Sequence, residues 1–229
     1  MPTRVSSKPT RRDVRWSGLD ADERRARRRA LLIDAGFELL GSEGAAATTV
    51  RAVCHKAELN ARYFYESFAD IDALLVAVYD HVVAGMSAAT AAVAASPDMA
   101  PLVVARIGID AIVRFIDEDR RRARILYVEA VSNAALNRHR RETDIIAIAT
   151  LEQAAVEAAG SWPEGERVSS IGAAMLIGGL SEVLLDWIDG RIEVTREQLV
   201  DDLAVLALAL GEATEKIARS RVLRGRSRS

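Results

Sequence analysis

Side chains that suit recognition of a nucleic acid are concentrated between Thr48 and Leu74. An arginine guanidinium can pair two donors with a guanine edge, while hydroxyl groups and lysine bind phosphates. Helical spacing directs these side chains away from the apolar positions of the segment. The outward-facing set is Arg51, His55, Lys56, Arg62, Tyr63, Tyr65, Glu66 and Ser67.

Two short helices must position these side chains. Four apolar residues at i, i+3, i+4 and i+7, from Val50 to Ala57, predict the first, with Thr48 or Thr49 as its cap. A tight turn follows, and Asn60 can cap a second helix that turns aromatic residues inward, namely Phe64 and Phe68. Such a helix-turn-helix needs a third helix, which the segment from about Asp20 to Ser42 supplies.

A packing role is the alternative interpretation of this surface. Tyr63 and Tyr65 could be half-buried, with the charges merely solvating a helix. An aromatic-rich outer face on so short a helix has no obvious packing use, and this favours the DNA-binding interpretation.

The stretch from Arg29 to Val82 resembles the DNA-binding domain of TetR-type transcriptional regulators. The matching elements are Gly44, Thr48-Thr49-Val50, Tyr65-Glu66-Ser67-Phe68 and Leu74. The resemblance implies an operator in double-stranded DNA as partner. It implies DNA contacts from the two short helices, for which the candidate residues are Thr48, Thr49, Arg51, Asn60, Arg62, Tyr63 and Tyr65.

Two positions depart from the family pattern. Glu58 stands where the family usually has Gly in a turn that favours positive φ, at a cost on the order of 1 kcal/mol. Ile71 stands where the family usually has a Lys that can clamp a phosphate, so one backbone contact is expected to be missing.

Composition favours a helical, metal-free, non-enzymatic protein. The chain has 229 residues, of which 50% are hydrophobic, and Cys54 is its only cysteine, expected as a small core residue. No metal-ligand spacing involves its three histidines, and no catalytic residues or cofactor are predicted. With neither a signal peptide nor a membrane span expected, we predict a cytoplasmic protein.

Charge divides the chain into a basic head, an acidic body and a basic tail. The net charge is +4 over residues 1–68, −11 over residues 69–217 and +5 from residue 218. We predict a flexible basic arm at 1–18, a helix-turn-helix domain at 19–70, a ligand-binding and dimerisation domain at 71–217 and a flexible tail at 218–229. The arm could add affinity for phosphates or be inert.

Helical periodicity continues after Phe68 without strand alternation. It predicts an all-α protein of about nine helices, with the three-helix head followed by a larger bundle. Helices are expected at about Ile71–Ala95, Pro101–Asp117, Arg120–Val131, Leu136–Ala159, Arg167–Asp189 and Thr195–Arg219.

The last two of these helices are apolar on nearly every side, which requires burial on more than one face. A homodimer is the economical explanation, and the final helices of TetR-like proteins form such an interface; burial within a larger monomer is the alternative. The predicted interface residues are Gly178, Gly179, Leu203, Leu206, Ala207 and Leu210.

The middle helices would, by the same resemblance, enclose a pocket for a small-molecule effector. The candidate lining residues are Met86, Ile112, Phe115, Tyr127, Glu129 and Met175. A carboxylate among apolar residues needs a partner, either a cationic ligand or an arginine from the 120–124 run.

The function predicted from the sequence is a homodimeric repressor that a small molecule releases from a palindromic operator. A ligand-independent or activating regulator is the first alternative, and a helical carrier or enzyme is the second. Retention on DNA at moderate salt separates the regulators from the second alternative.

Overall fold

The computed structural model describes residues 20–91, 99–159 and 166–226 of the chain. Within these residues the chain is helical without strands, as the sequence predicted. The helices are α1 (Ala21–Glu43), α2 (Val50–Lys56), α3 (Ala61–Tyr65), α4 (Ile71–Ala91), α5 (Pro101–Glu118), α6 (residues 121–132), α7 (Ala134–Ala159), α8 (Glu166–Ile188) and α9 (Arg196–Arg226). The predicted basic arm and the end of the predicted Ile71–Ala95 helix lie outside the described residues.

Helix α1 begins with a reciprocal cap, as its sequence predicted. The Glu23 amide donates to Asp20 Oδ1, and the Asp20 amide donates to Glu23 Oε2, both at 2.8 Å. Its predicted apolar stripe is buried and packs against α2, α3 and α4. The buried stripe contains Leu32, Ala35, Gly36, Leu39 and Leu40.

Helix α4 connects the head to the rest of the bundle. It follows Phe68 closely, and Asp70 caps it by accepting a hydrogen bond from the Ala73 amide at 2.8 Å. A Cβ atom at Gly36 of α1 would lie 2.9 Å from the Val78 side chain, so α1 and α4 approach closely. One continuous core therefore runs from the head into the bundle through α4.

Helix α6 contains a π-helical segment that periodicity did not indicate. Residues Arg121–Ala123 are α-helical, Arg124–Glu129 form the π segment, and Ala130–Ser132 return to α-helix. At the start of α6, a Cβ atom at Gly41 would lie 2.6 Å from the Arg121 Cβ. Helix α6 therefore packs directly on the end of α1.

Helices α5, α8 and α9 share a second core. Leu184 and Val113 are fully buried there, and Leu203 contributes from α9. Thr195 and Gln198 form the predicted capping box at the start of α9. Helix α9 continues through Arg226 and buries Ala218, so residues 218–226 are helical rather than part of a flexible tail. The expected helix end at Arg219 was too early.

Two described helices are long and apolar enough to cross a membrane by length and composition, Ile71–Ala91 and Val168–Ile188. No such segment was expected from the sequence. The first is α4, which buries six side chains in the core of the head and bundle. Core helices of soluble proteins meet the same criterion, so this is weak evidence for a membrane.

Candidate nucleic-acid interface

Two side-chain caps start the short helices of the head. The Thr49 hydroxyl accepts a hydrogen bond from the Ala52 amide at 3.2 Å, which makes Thr49 the cap of α2. Asn60 Oδ1 accepts from the Tyr63 amide at 3.2 Å and caps α3 as predicted. Since these two helices are too short to be stable alone, the caps and the core beneath them define where each begins.

The turn between α2 and α3 requires a left-handed residue. Glu58 occupies that position with φ of 54°, and it is the one non-glycine residue with positive φ among those described. The Leu59 amide then donates to the Cys54 carbonyl at 2.9 Å and closes the turn. The helix-turn-helix geometry is therefore kept despite the residue type, at a strain on the order of 1 kcal/mol.

Below the turn, the inward residues of the head are those that the spacing predicted. Phe64 is fully buried, its ring centre lies 5.7 Å from that of Phe68, and Val53 and Cys54 complete the layer. Burial raises the pKa of the Cys54 thiol, which fits an unreactive core position.

The outer face of α3 presents long polar side chains to solvent. The Arg62 side chain is 84% exposed and Tyr65 is 60% exposed, with the Tyr65 ring edge against Phe64. Tyr63 is half-buried, and the Arg28 guanidinium carbon lies 4.5 Å from its ring centre. Both Tyr63 and Tyr65 therefore make packing contacts, but only Tyr65 leaves most of its ring free.

The start of α2 also carries exposed polar side chains. Thr49, Arg51 and Asn60 are exposed, whereas Thr48 is 2% exposed and donates its hydroxyl to the Gly44 carbonyl at 2.8 Å. The Thr48 side chain therefore stabilises the loop that leads into α2 and does not face solvent. At the far end of α2, Lys56 forms an ion pair with Glu38 at 2.6 Å.

A buried carboxylate holds that loop to the bundle. Glu129 is 7% exposed; one of its oxygens accepts from the Ala45 amide at 2.9 Å and the other accepts from Arg124 Nε at 3.1 Å. Arg124 also donates to the Ser42 carbonyl at 2.9 Å. The partner that Glu129 was expected to need is thus Arg124, from the 120–124 run.

The predicted pocket residue Glu129 therefore lies at the junction of head and bundle. It lines a cleft of about 350 Å³ whose walls are otherwise Glu43, Gly44, Ala45, Ala46, Arg124, Ser132 and Asn133. None of the other five predicted pocket residues lines this cleft.

Gly44 allows this junction to close, and its replacement should be costly. Its φ is 88°, and a Cβ atom there would lie 2.9 Å from Glu129 Oε1 and 3.0 Å from Arg124 Nη2. We expect Gly44→Ala to lower the free energy of unfolding by about 2–3 kcal/mol, because the new Cβ strains the backbone and weakens the hydrogen bonds of the Glu129 carboxylate. Chemical denaturation measures this change in the free energy of unfolding.

Gly190 provides the matched control. Its φ is 74°, yet a Cβ atom there would meet nothing within 4 Å. Gly190→Ala should therefore lose only the backbone contribution, about 1 kcal/mol. Equal losses for the two variants would contradict the role assigned to the Glu129 contact.

Four other predicted pocket residues are partly buried against one or both of the two cores. Met86 and Phe115 pack on the first core, Ile112 packs on the second, and Tyr127 packs on both. Burial raises the pKa of Tyr127 to about 12. Met175 lies elsewhere, 60% exposed on α8, so it does not line the interior.

The predicted interface residues divide between an interior and an exposed set. Leu203 is buried in the second core and Ala207 packs against that core. Leu206 is 63% exposed, and Cβ atoms added at Gly178 or Gly179 would meet nothing within 4 Å. Leu210 is half-buried.

Sequence reasoning missed several members of this exposed face. Ile171 and Met175 are one turn apart on α8, in line with the two glycines, and Val205 lies beside Leu206 on α9. The i, i+4, i+7, i+8 spacing from Ile171 to Gly179 was the available signal. It was hidden because apolar residues occur on nearly all sides of α8.

Comparison with known proteins assigns the head to a family. Residues 32–78 match the family model described as bacterial regulatory proteins, tetR family. That segment contains the helix-turn-helix and the beginning of α4. No curated protein matches the chain in sequence.

Solved structures share the fold over most of the chain. A putative transcriptional regulator from Pseudomonas aeruginosa PAO1 is 20% identical with a TM-score of 0.69, covering 89% of this chain and 98% of its own. A TetR-like transcriptional regulator from Rhodococcus sp. RHA1 is 20% identical with a TM-score of 0.62, covering 83% and 98%. The regulator FadR from Bacillus subtilis, solved in complex with stearoyl-CoA, is 14% identical with a TM-score of 0.62, covering 78% and 96%. The helix-turn-helix segment thus matches the tetR family of bacterial regulatory proteins, and the described chain shares its fold with these transcriptional regulators.

Proposed function

We propose that the protein is a homodimeric repressor that binds a palindromic operator in the cytoplasm and leaves it when a small molecule binds the bundle. The observation that carries this proposal is the pairing of two exposed surfaces on one chain. One is the polar face of α2 and α3; the other is the apolar face of α8 and α9. A two-fold dimer through the second surface gives the two copies of the first surface one fixed spacing.

The proposed DNA contacts divide into two kinds. Arg62, whose side chain is 84% exposed, is assigned to a base edge in the major groove, and Tyr65 is assigned to a phosphate. Thr49, Arg51 and Asn60, which are exposed, and the half-buried Tyr63 are proposed as further contacts. We leave Thr48 out, since its side chain is buried and bonded to Gly44.

The proposed dimer surface combines exposed apolar positions of two helices that contact each other, α8 and α9. Its members are Ile171, Met175, Gly178, Gly179, Val205 and Leu206. Exposed apolar surfaces on helices are unfavourable in water, and small residues allow a second copy to approach closely. The DNA-binding domain is assigned to residues 19–70 and the effector and dimer domain to the helices that follow.

The effector site is proposed between the two cores, against which Met86, Ile112, Phe115 and Tyr127 pack. Because α4 carries Met86 and also begins the bundle directly after the head, a ligand that displaces Met86 would tilt α4. The tilt would change the distance between the two copies of Arg62. The largest possible loss of operator affinity equals the ligand's preference for the tilted state.

Binding-site selection from random DNA, followed by an effector screen, tests the proposal. The selected sites should be palindromes with half-sites about one helical turn apart. Compounds that raise the melting temperature are then added to the operator complex; apolar compounds and acyl-CoA thioesters are included, since a protein of this fold binds stearoyl-CoA.

The expected result is a stabilising compound that lowers operator affinity at least about tenfold, within the range of known couplings. Selection of non-palindromic sites would contradict the dimeric repressor. Stabilising compounds that leave operator affinity unchanged throughout the screen would instead support a ligand-independent regulator.

A further inference from the structure

Glu66, the residue that ends α3, forms hydrogen bonds with two arginines from different helices. Its Oε1 accepts from Arg62 Nε at 3.2 Å, and its Oε2 accepts from Arg28 Nη2 at 3.3 Å. The Glu66 side chain is 29% exposed, between those of Arg28 at 15% and Arg62 at 84%. The carboxylate thus links a largely buried arginine of α1 to a highly exposed arginine of α3.

Arg28 anchors the Glu66 carboxylate to the core of the head. Its guanidinium carbon lies 4.5 Å from the centre of the Tyr63 ring, a distance at which a cation is attracted to the aromatic face. Its side chain is mostly buried on α1, the helix that forms the floor of the head core. The position of Glu66 is therefore set by packing as well as by its place on α3.

The link constrains Arg62 without occupying its end. Glu66 engages only Nε, so both terminal nitrogens of the Arg62 guanidinium keep their donors for another partner. A guanine edge offers two acceptors, N7 and O6, that match such a pair of donors. A long side chain that is already held in one direction loses less conformational freedom when it binds.

We propose that Glu66 is a positioning residue that holds Arg62 ready to read a guanine in the operator. This inference rests on the proposed role of Arg62 as the base-reading side chain. Glu66 also brings a negative charge close to the DNA phosphates, which weakens binding to every sequence alike. Glu66 therefore raises discrimination between sequences while lowering general affinity for DNA.

These two effects have opposite signs, and a purely structural role would not produce both. The experiment measures dissociation constants for the full-length protein on three DNAs. The first is the selected operator, the second has adenine in place of the guanine at the position that Arg62→Ala relaxes, and the third is unrelated DNA. Glu66→Ala, Glu66→Gln, Arg62→Ala and the double variant Glu66→Ala with Arg62→Ala are compared with the original protein.

We expect Glu66→Ala to bind unrelated DNA about 2- to 5-fold more tightly. We also expect its preference for guanine over adenine to fall about 3- to 10-fold. Glu66→Gln, which keeps one acceptor and the same shape, should show a smaller fall. In the Arg62→Ala background, Glu66→Ala should leave the remaining preference unchanged, because the two residues act as a unit.

Asp72→Ala is the matched control, since it removes an exposed carboxylate from the first turn of the next helix. It should alter general affinity without altering the guanine preference. Circular dichroism and melting temperature establish that each variant is folded, and Glu66→Gln serves as the informative variant if Glu66→Ala is not.

An unchanged guanine preference in folded Glu66→Ala and Glu66→Gln, with Arg62→Ala relaxing that preference, would overturn this inference alone. A fall of equal size in the presence and absence of Arg62 would overturn it as well. If Arg62→Ala itself relaxes nothing, the assignment of Arg62 under the proposed function has failed, and the two failures are thereby distinguished.

Discussion

Leu206→Glu should convert the protein from a dimer into a monomer at micromolar concentration. Leu206 is 63% exposed on α9, next to Val205, which is 55% exposed. In a two-fold interface the substitution would place two carboxylates in an apolar contact, where an unpaired charge is strongly unfavourable. Sedimentation velocity measures the change in mass.

Loss of the dimer should also remove most operator affinity. A dimer that binds two linked half-sites has an affinity about 100- to 10,000-fold higher than a monomer that binds one. A monomeric variant should lose this gain in affinity. Fluorescence anisotropy on the selected operator measures this loss. A single half-site should be bound equally by Leu206→Glu and the original protein.

The control for this substitution is Ile145→Glu. Ile145 is 67% exposed on α7, outside α8 and α9, so the same change of residue type should leave both mass and affinity unaltered. Ala207→Glu is less informative, because Ala207 packs against its own core and its loss would confound folding with assembly. A Leu206→Glu protein that stays dimeric would contradict the proposed interface.

Arg62→Ala should cost about 1–3 kcal/mol of binding free energy per half-site and relax preference at one base pair in each. The physical reason is the loss of two donors to a guanine edge, from a side chain that is 84% exposed on α3. Competition binding against operators that differ at single positions measures both effects. Tyr65→Phe, which removes a single hydroxyl, should weaken binding to all sequences alike.

Arg141→Ala separates base reading from general electrostatics. Arg141 is exposed on α7 and donates to Asn137 Oδ1 at 3.0 Å, so its removal deletes one positive charge away from the head. We expect no change in sequence preference from it. An Arg62→Ala protein with unchanged affinity and unchanged preference would show that another side chain reads the operator.

Local interactions made the head of this protein readable from its sequence. The Asp20 and Asn60 caps and the inward phenylalanines involve residues at most four positions apart, where helical geometry alone decides which groups meet. The positive φ of Glu58 was likewise expected from the turn that it occupies. The candidate DNA-binding surface follows from the same periodicity, because the helix positions that are not buried in the core must face solvent.

The sequence left open which of several neighbouring residues takes each role. It offered either Thr48 or Thr49 as the cap of α2, and the structure chooses Thr49 because Thr48 turns inward to Gly44. It offered Met175 for the pocket and Leu203 for the interface, yet Met175 is exposed and Leu203 is buried. On helices that are apolar all round, periodicity cannot distinguish the side that faces the protomer core from the side that faces outward.

Contacts between distant parts of the chain were decided by the tertiary structure alone. Glu129 bonds to the Ala45 amide across 84 residues, and Arg28 reaches Glu66 across 38. Each pairing depends on how α1 packs against α6 or α3, which no local pattern encodes. The sequence determined which helices form and which residue types face outward, since both follow from contacts within one or two turns. The packing of those helices determined which charges meet, because several arginines could have served each carboxylate and only their positions in space select one.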